Sequence, residues 1–504
     1  MNNVIVITQN VKLPSLAKLK NKLIPGKVLI VSTQYLFENE RELIDGILKT
    51  SCEFLTFSDL LSDEERELCD KDAFCPRTQK QDVFAYYHDI KVLKNERIIN
   101  NLLARSEYEN RIIVCDDLGV YKQTWLNRGF VDAKCDYYYN DSSETNNKLT
   151  EFLKRIAIIK RIAILFSDIS IKLRRSFSIQ ISVAHRNGVK YLFYGSLNRI
   201  GYRIDLDFKK AGGIERLKYI INNLGIVGKN STIRLSSFHE GYHKINDKKK
   251  LNVKLIQDGY LPPNYSSNYL YFYGLNTEFY TWDKIGCNTF IYHHLPHRIM
   301  PFRKKLYLPE PVFPQKIKKV LCVASGAGDW TAVKNRSDED RMIWAFGQVA
   351  KKFPNIEFIY RCHPVWIHPL HQGVNSINRA AEYISWLNLP NYKLSGHIPN
   401  AVQNGKFCLS YKRSSFEEDL EGVDIVFGEH SIAMIDAAFK GVLFCSCNVT
   451  GHRNFFEDIT NLGFPHCESV DALISLIKKV EMPEFKDAYL KAVKNYNEMT
   501  DMEE

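Results

Sequence analysis

The chain has 504 residues, 45% of them hydrophobic, which is enough to bury cores in two or three domains of ordinary size. Its 68 basic residues outweigh 58 acidic ones, and the net charge of +10 favours an anionic partner such as a nucleotide, a nucleic acid, a charged glycan or a membrane surface. The 12 cysteines show no CxxC pairing, which argues against a zinc module, and no run approaches the ~20 apolar residues needed to cross a bilayer.

Met1–Val4 leads almost at once into a strand-like run, Val4–Thr8, without the basic and long apolar regions of a signal peptide. A cytoplasmic protein with reduced, buried thiols is therefore expected. Further strand-like runs follow at Val28–Ser32, Phe54–Phe57 and Ile112–Cys115, separated by helix-compatible stretches. Such alternation predicts a parallel sheet covered by helices on both faces.

A basic, largely apolar segment comes next. Ile156–Phe166 is interrupted by Lys160 and Arg161 and flanked by Lys154, Arg155, Lys172, Arg174 and Arg175. It reads as an interdomain or core helix, or else as a helix that associates peripherally with the inner membrane. Strand candidates then recur at Tyr191–Tyr194, Ile233–Ser236 and Val253–Ile256, extending the first lobe to residue 300. His239 and His243 share the spacing of a metal pair, but Gly241 and the lack of a third ligand argue against it; no metal is expected. Asp258 follows the last of these strands in an Asp-Gly step. It could act as a base or nucleophile, although spacing alone describes an ordinary turn.

Pro301, Pro309, Pro311 and Pro314 punctuate the next passage and mark residues 301–318 as a linker. A second α/β series occupies 319–504, with strands at Val320–Ala324, Ile356–Tyr360, Phe407–Ser410, Ile425–Phe427 and Val442–Cys445. Two Rossmann-like lobes with a cleft between them are the economical architecture, and ligands in such sheets bind beyond the strands' carboxyl ends.

Three passages lie at such ends. Ser325, Gly326 and Gly328 form a glycine-rich loop after Ala324, without the Gly-Lys-Ser/Thr ending of an ATP phosphate loop. Lys334, Arg336 and Arg341 add cations downstream, though a solvated helix face would look the same. Arg361, His363 and Pro364 follow the Ile356–Tyr360 strand, where an arginine fork and an imidazole suit a nucleotide phosphate. Glu429 and Ser431 lie between the strand at Ile425–Phe427 and a helix expected to close near Gly441. A serine there can cap its own helix, bind an anion, or do both.

An Asp-Gly after a first-lobe strand, a His-Pro after a second-lobe strand and a later serine at a helix start resemble the bacterial glycosyltransferases that use CMP-activated ulosonic acids. These are the β-Kdo transferases and the sialyl- and polysialyltransferases of capsule and lipopolysaccharide synthesis. The resemblance spans residues 230 to 450, and the first 200 match only in their α/β character. It implies a GT-B fold, His363 and Ser431 on the CMP phosphate, and Asp258 as catalytic carboxylate, either nucleophile or base. Gln257 stands where an acidic residue is common, and Glu429-His430 where small residues are usual. The implied substrates are a nucleotide-sugar donor, Kdo ahead of sialic acid, and a glycan or glycolipid acceptor, with no cofactor. A UDP- or GDP-sugar donor and a non-catalytic binding protein are the alternatives. Nucleic acid ranks last, because the basic residues are spread without a recognised domain motif.

Overall fold

The computed structural model describes residues 3–8, 11–73, 83–115, 120–137, 182–186, 189–193, 232–235, 252–256, 277–281, 297–299, 307–324, 336–363, 373–396, 412–429, 431, 433–451 and 453–501. The chain divides into two compact units. One joins Met1–Cys75, Phe84–Tyr139 and Tyr307–Glu498; the other consists mainly of Asn140–Leu306.

The first unit contains two sheets. In the amino-terminal one, β1 (Asn3–Ile7), β2 (Val28–Ser32), β3 (Cys52–Thr56), β4 (Asn110–Val114) and β5 (Val131–Asp132) pair in parallel in the order β3-β2-β1-β4-β5. Helices α1 (Glu38–Leu48), α2 (Asp63–Ala73), α3 (Val83–Arg105) and α4 (Val120–Leu126) lie between the strands in sequence. Val4 and Val6 enter a core with Leu29, Ile113 and Trp125, while Ile5 and Ile7 enter another with Leu16, Ile30 and Ile44. A strand buried on both faces needs an unbroken apolar run, and that is why Val4–Ile7 shows no alternation. Asn3 opens β1 from a buried position by bonding the backbone of Ile24 through both ends of its amide, at 2.8 and 3.0 Å.

The second unit holds a sheet of its own. Strands β6 (Ser182–Arg186), β7 (Val189–Phe193), β8 (Thr232–Leu235), β9 (Asn252–Ile256), β10 (Thr277–Thr281) and β11 (His297–Ile299) lie in the order β11-β10-β9-β8-β7-β6. All pair in parallel except the β6–β7 hairpin. The strands expected near Tyr191, Ile233 and Val253 therefore exist, yet none joins the amino-terminal sheet. Local propensity marks a strand without specifying which edge it meets.

The carboxyl-terminal sheet returns to the first unit. It is built from β12 (Lys319–Val323), β13 (Glu357–Arg361), β14 (Tyr392–Gly396), β15 (Lys412–Arg413), β16 (Ile425–Gly428), β17 (Leu443–Cys447) and β18 (His466–Cys467). The intervening and following helices are α5 (Arg336–Lys352), α6 (Gly373–Leu387), α7 (Phe416–Leu420), α8 (Ala433–Ala438), α9 (Glu457–Thr460), α10 (Val470–Lys479) and α11 (Pro483–Asp501). The order β15-β14-β13-β12-β16-β17-β18 is parallel throughout. Its direction of growth reverses between β12 and β16, which makes that gap a topological switch point. The α/β alternation read from the sequence thus appears as doubly wound, Rossmann-like sheets. The strand expected at Phe407–Ser410 lies outside the described residues. Every cysteine among the described residues is a buried free thiol. No described helix is long and apolar enough to cross a membrane.

Candidate functional site

Strand register defines a row of three residues across the carboxyl-terminal sheet, with Val323 of β12 paired to Arg361 on one side and to Gly428 on the other. The chain leaves β12 at Ala324, β13 at Cys362-His363, and β16 at Glu429. Ala324 N–H is held by the Arg361 carbonyl at 3.0 Å, and Cys362 N–H by the Ser395 carbonyl at 3.0 Å. His363 and the Glu429–Ser431 turn are therefore delivered to the same end of the sheet from strands on either side of β12. This is the crevice where parallel α/β sheets receive ligands.

Two glycines allow these strand ends to pack. A Cβ on Gly428 would stand 3.0 Å from Val323 Cγ2 and 3.5 Å from Met434 Cβ, so its absence lets α8 fold back over the sheet. Gly396 has φ +111°, and a Cβ there would stand 3.0 Å from the Cys362 carbonyl oxygen. The backbone immediately before His363 is thus seated against a residue that must remain glycine.

Arg361 departs from expectation. Arg361 is only 7% exposed, and Nη1, one prong of the expected phosphate fork, is committed within the protein. Nη1 donates to the Asp419 carboxylate and to the carbonyls of Ser414 and Ser415, both at 3.1 Å. Asp419 also accepts from Ser414 Oγ at 2.5 Å and Ser395 Oγ at 2.7 Å, completing a buried network. A buried guanidinium needs this partnership to offset the cost of leaving water. Arg361 therefore positions the end of β13, from which the chain runs on into His363. No spacing rule joins Arg361 to Asp419, although the Ser415–Glu418 capping box that starts α7 beside Asp419 is legible as S-x-x-E.

At β16 the expected strand, turn and helix are present, but the helix is shorter than the sequence suggests. It runs only from Ala433 to Ala438, and the Ser431 carbonyl accepts from Met434 N–H at 3.2 Å. Gly441, at φ +78°, ends it as expected: its N–H bonds Ala438 O at 2.9 Å, and Val442 N–H bonds Ala437 O at 3.2 Å. Glu429 and Ser431 are 4% and 7% exposed. With so short a helix, the individual donors of the turn matter more than a macrodipole.

Asp258, Ser325, Gly326, Gly328 and Pro364 lie outside the described residues, as do His239 and His243. β9, which precedes Asp258, ends at Ile256. No group of three metal-ligating side chains gathers among the described residues.

The two sheets of the first unit are joined through segments that leave their carboxyl ends. Arg379 of α6 grips Glu40 of α1 bidentately at 2.9 and 2.7 Å, Asp340 of α5 at 2.6 Å and the Tyr35 carbonyl at 2.9 Å. Phe37 stacks on Tyr383 with ring centroids 4.1 Å apart, and Trp344 Nε1 donates to Glu38 at 2.6 Å. Ser58 Oγ donates to Asp338 at 2.7 Å, and Arg341 donates to Asp59. Burial pushes the Asp59 carboxyl up, but the Arg341 charge and hydrogen bonds from Thr56 outweigh it and leave the pKa below the ordinary value. Arg341, expected as a cation near the glycine-rich loop or on a solvated helix face, instead pairs with Asp59, and Asp338 of the same helix accepts from Ser58.

No protein-family profile matches the chain, and no curated protein matches it in sequence. Among solved structures it is similar to a UDP-forming α,α-trehalose-phosphate synthase from Burkholderia xenovorans, at 8% identity over 64% of this chain and 86% of the other, with a TM-score of 0.34. It is also similar to TarM, at 10% identity over 99% and 95% of the two chains, with a TM-score of 0.33. A third similarity is to the Gap123 glycosylation-associated complex from Streptococcus agalactiae, at 11% identity, 99% and 97% coverage and a TM-score of 0.30. Scores this low give these likenesses no weight in assigning fold or activity, which rest on the chain's own residues.

Proposed function

We propose that the chain is a glycosyltransferase of GT-B type that takes its sugar from a nucleotide donor bound beyond β12, β13 and β16. The observation that carries this reading is the strand order, which sets His363 and the Glu429–Ser431 turn on either side of β12 at a switch point. The favoured donor is a CMP-ulosonic acid, Kdo before sialic acid, and the acceptor is a capsule or lipopolysaccharide glycan. That preference rests on the sequence resemblance.

In this mechanism the bond between the sugar's anomeric carbon and the phosphate oxygen breaks, and CMP departs with the electron pair. His363 donates a hydrogen bond or a proton to the departing phosphate, and the Ser431 hydroxyl with the backbone donors of its turn, and the Ser325–Gly328 loop, hold it. Asp258 either removes the proton of the attacking acceptor hydroxyl or first attacks the anomeric carbon itself, giving inversion or retention respectively. Arg361 keeps the β13 end in place through Asp419. His363 and backbone donors can neutralise the charge that develops on the phosphate, so the step calls for no metal.

Calorimetric titration with CMP, UDP and GDP, followed by incubation with labelled CMP-Kdo and CMP-sialic acid, tests the proposal. Binding of CMP and turnover of one CMP-sugar are expected. Preference for UDP or GDP would change the donor; nucleotide binding without transfer to any glycan would make the chain a binding protein. Cytoplasmic residence at the inner membrane is part of the same proposal, and co-flotation with anionic liposomes tests it.

A further inference from the structure

A cavity of ≈ 250 Å³ lies where the loops after β2 and β3 meet α5, within the first unit. Its walls have a particular chemistry. Tyr35 lies beneath two guanidiniums, with Arg41 Cζ 4.9 Å and Arg341 Cζ 5.3 Å from its ring centroid. Arg41 also lies 5.5 Å from the Phe54 centroid, and Trp344 closes another side, 5.9 Å from Tyr35.

The two arginines differ in what neutralises them. Arg341 is matched by Asp59, yet its Nε is buried and makes no hydrogen bond among the described residues. Arg41 donates from Nε to the Leu36 carbonyl at 2.8 Å and makes no ion pair among the described residues. Aromatic faces thus hold a guanidinium in place while no carboxylate among the described residues forms an ion pair with it. Guanidinium presents a planar fork suited to carboxylate, and aromatic walls suit the flat face of a ring. The volume falls just below the ~300 Å³ at which drug-sized pockets begin, so it accommodates about one ring.

The geometry points to a binding site for a one-ring carboxylic acid, its carboxylate on Arg41 and its ring against Tyr35 and Trp344. None of His363, Glu429 and Ser431 lines this cavity, and its proposal does not depend on the chain being a transferase.

Titration of the full chain with glucuronate, with glucose as its neutral counterpart and benzoate as a planar acid, tests it. Saturable binding of at least one acid, none of glucose, and at least tenfold weaker binding by Arg41→Gln are expected. Val449→Phe, which projects a ring into the cavity from its lining without altering charge, should abolish binding and remains informative if Arg41→Gln fails to fold. Wild-type protein that binds neither acid overturns the proposal. So does glucose binding as tightly as glucuronate, or acid binding unchanged in folded Val449→Phe. Unaltered CMP titration in that variant would separate this site from the nucleotide crevice.

Discussion

Arg361 and Asp419, 58 residues apart, form a buried ion pair that ties the end of β13 to the first turns after β15. Both side chains are nearly inaccessible, at 8% and 2%, so removal of either leaves an uncompensated charge in the interior. Asp419→Ala should lower stability by ~3–5 kcal/mol, the range for breaking a buried pair. A thermal unfolding midpoint indistinguishable from wild type would contradict it. Arg361→Ala should likewise destabilise the fold, whereas a fork that served only phosphate would lose nucleotide affinity and keep its midpoint.

His363 should behave in the opposite way. His363→Ala is expected to reduce sugar transfer ~10²–10⁴-fold, as for a proton donor at the leaving group, with little change in stability. Steady-state kinetics with a CMP-sugar, paired with a melting curve, would expose the reverse pattern if the imidazole were structural.

Gly396→Ala tests how closely the site depends on backbone packing. The new Cβ would meet the Cys362 carbonyl at 3.0 Å in a backbone conformation that side chains rarely adopt. A loss of about 1–3 kcal/mol is expected from overpacking and strain, with nucleotide affinity falling as Cys362-His363 shifts. Unchanged affinity in a folded variant would show that this contact does not position His363.

Much of this arrangement is legible in the sequence. β2 coincides with the run Val28–Ser32, and the strand ends at His363 and Glu429 lie where apolar runs stop. What escapes is pairing at a distance. Tyr392–Gly396 is too polar to stand out as a strand, yet it supplies Ser395 and Gly396 to the site. No sequence motif singles out an acid of the run Asp338, Glu339 and Asp340, yet all three are at most 1% exposed because Ser58, Tyr360 and Arg379 meet them. Periodicity reports which residues share a face, not what arrives from hundreds of residues away.

Two titrating groups lose stability on acidification in different pH windows. Burial lowers the His466 pKa, while the nearby Glu468 charge and Ser446 raise it less. The native state therefore resists protonation, and stability falls as pH drops below the unfolded value of ~6.5. His466→Gln should flatten unfolding curves between about pH 5 and 7. Asp59, held below its ordinary value, contributes stability that is present above the unfolded pKa of ~3.9 and disappears as pH falls through the folded one. The difference between wild type and Asp59→Asn should persist at pH 6 and close below pH 4.

The clamp between α1 and α6 also shapes the order in which the protein can be made. Glu40 precedes its partner Arg379 by 339 residues, and Ser58 precedes Asp338 by 280. At ~5–20 residues per second, some 200 residues of synthesis after the amino-terminal sheet is complete take roughly 10–40 s. During that interval the waiting surface displays carboxylates, a hydroxyl and a few rings, which water solvates well. A greasy seam would have invited aggregation over the same delay; a polar one lets the nascent half stand in solvent until its counterpart emerges.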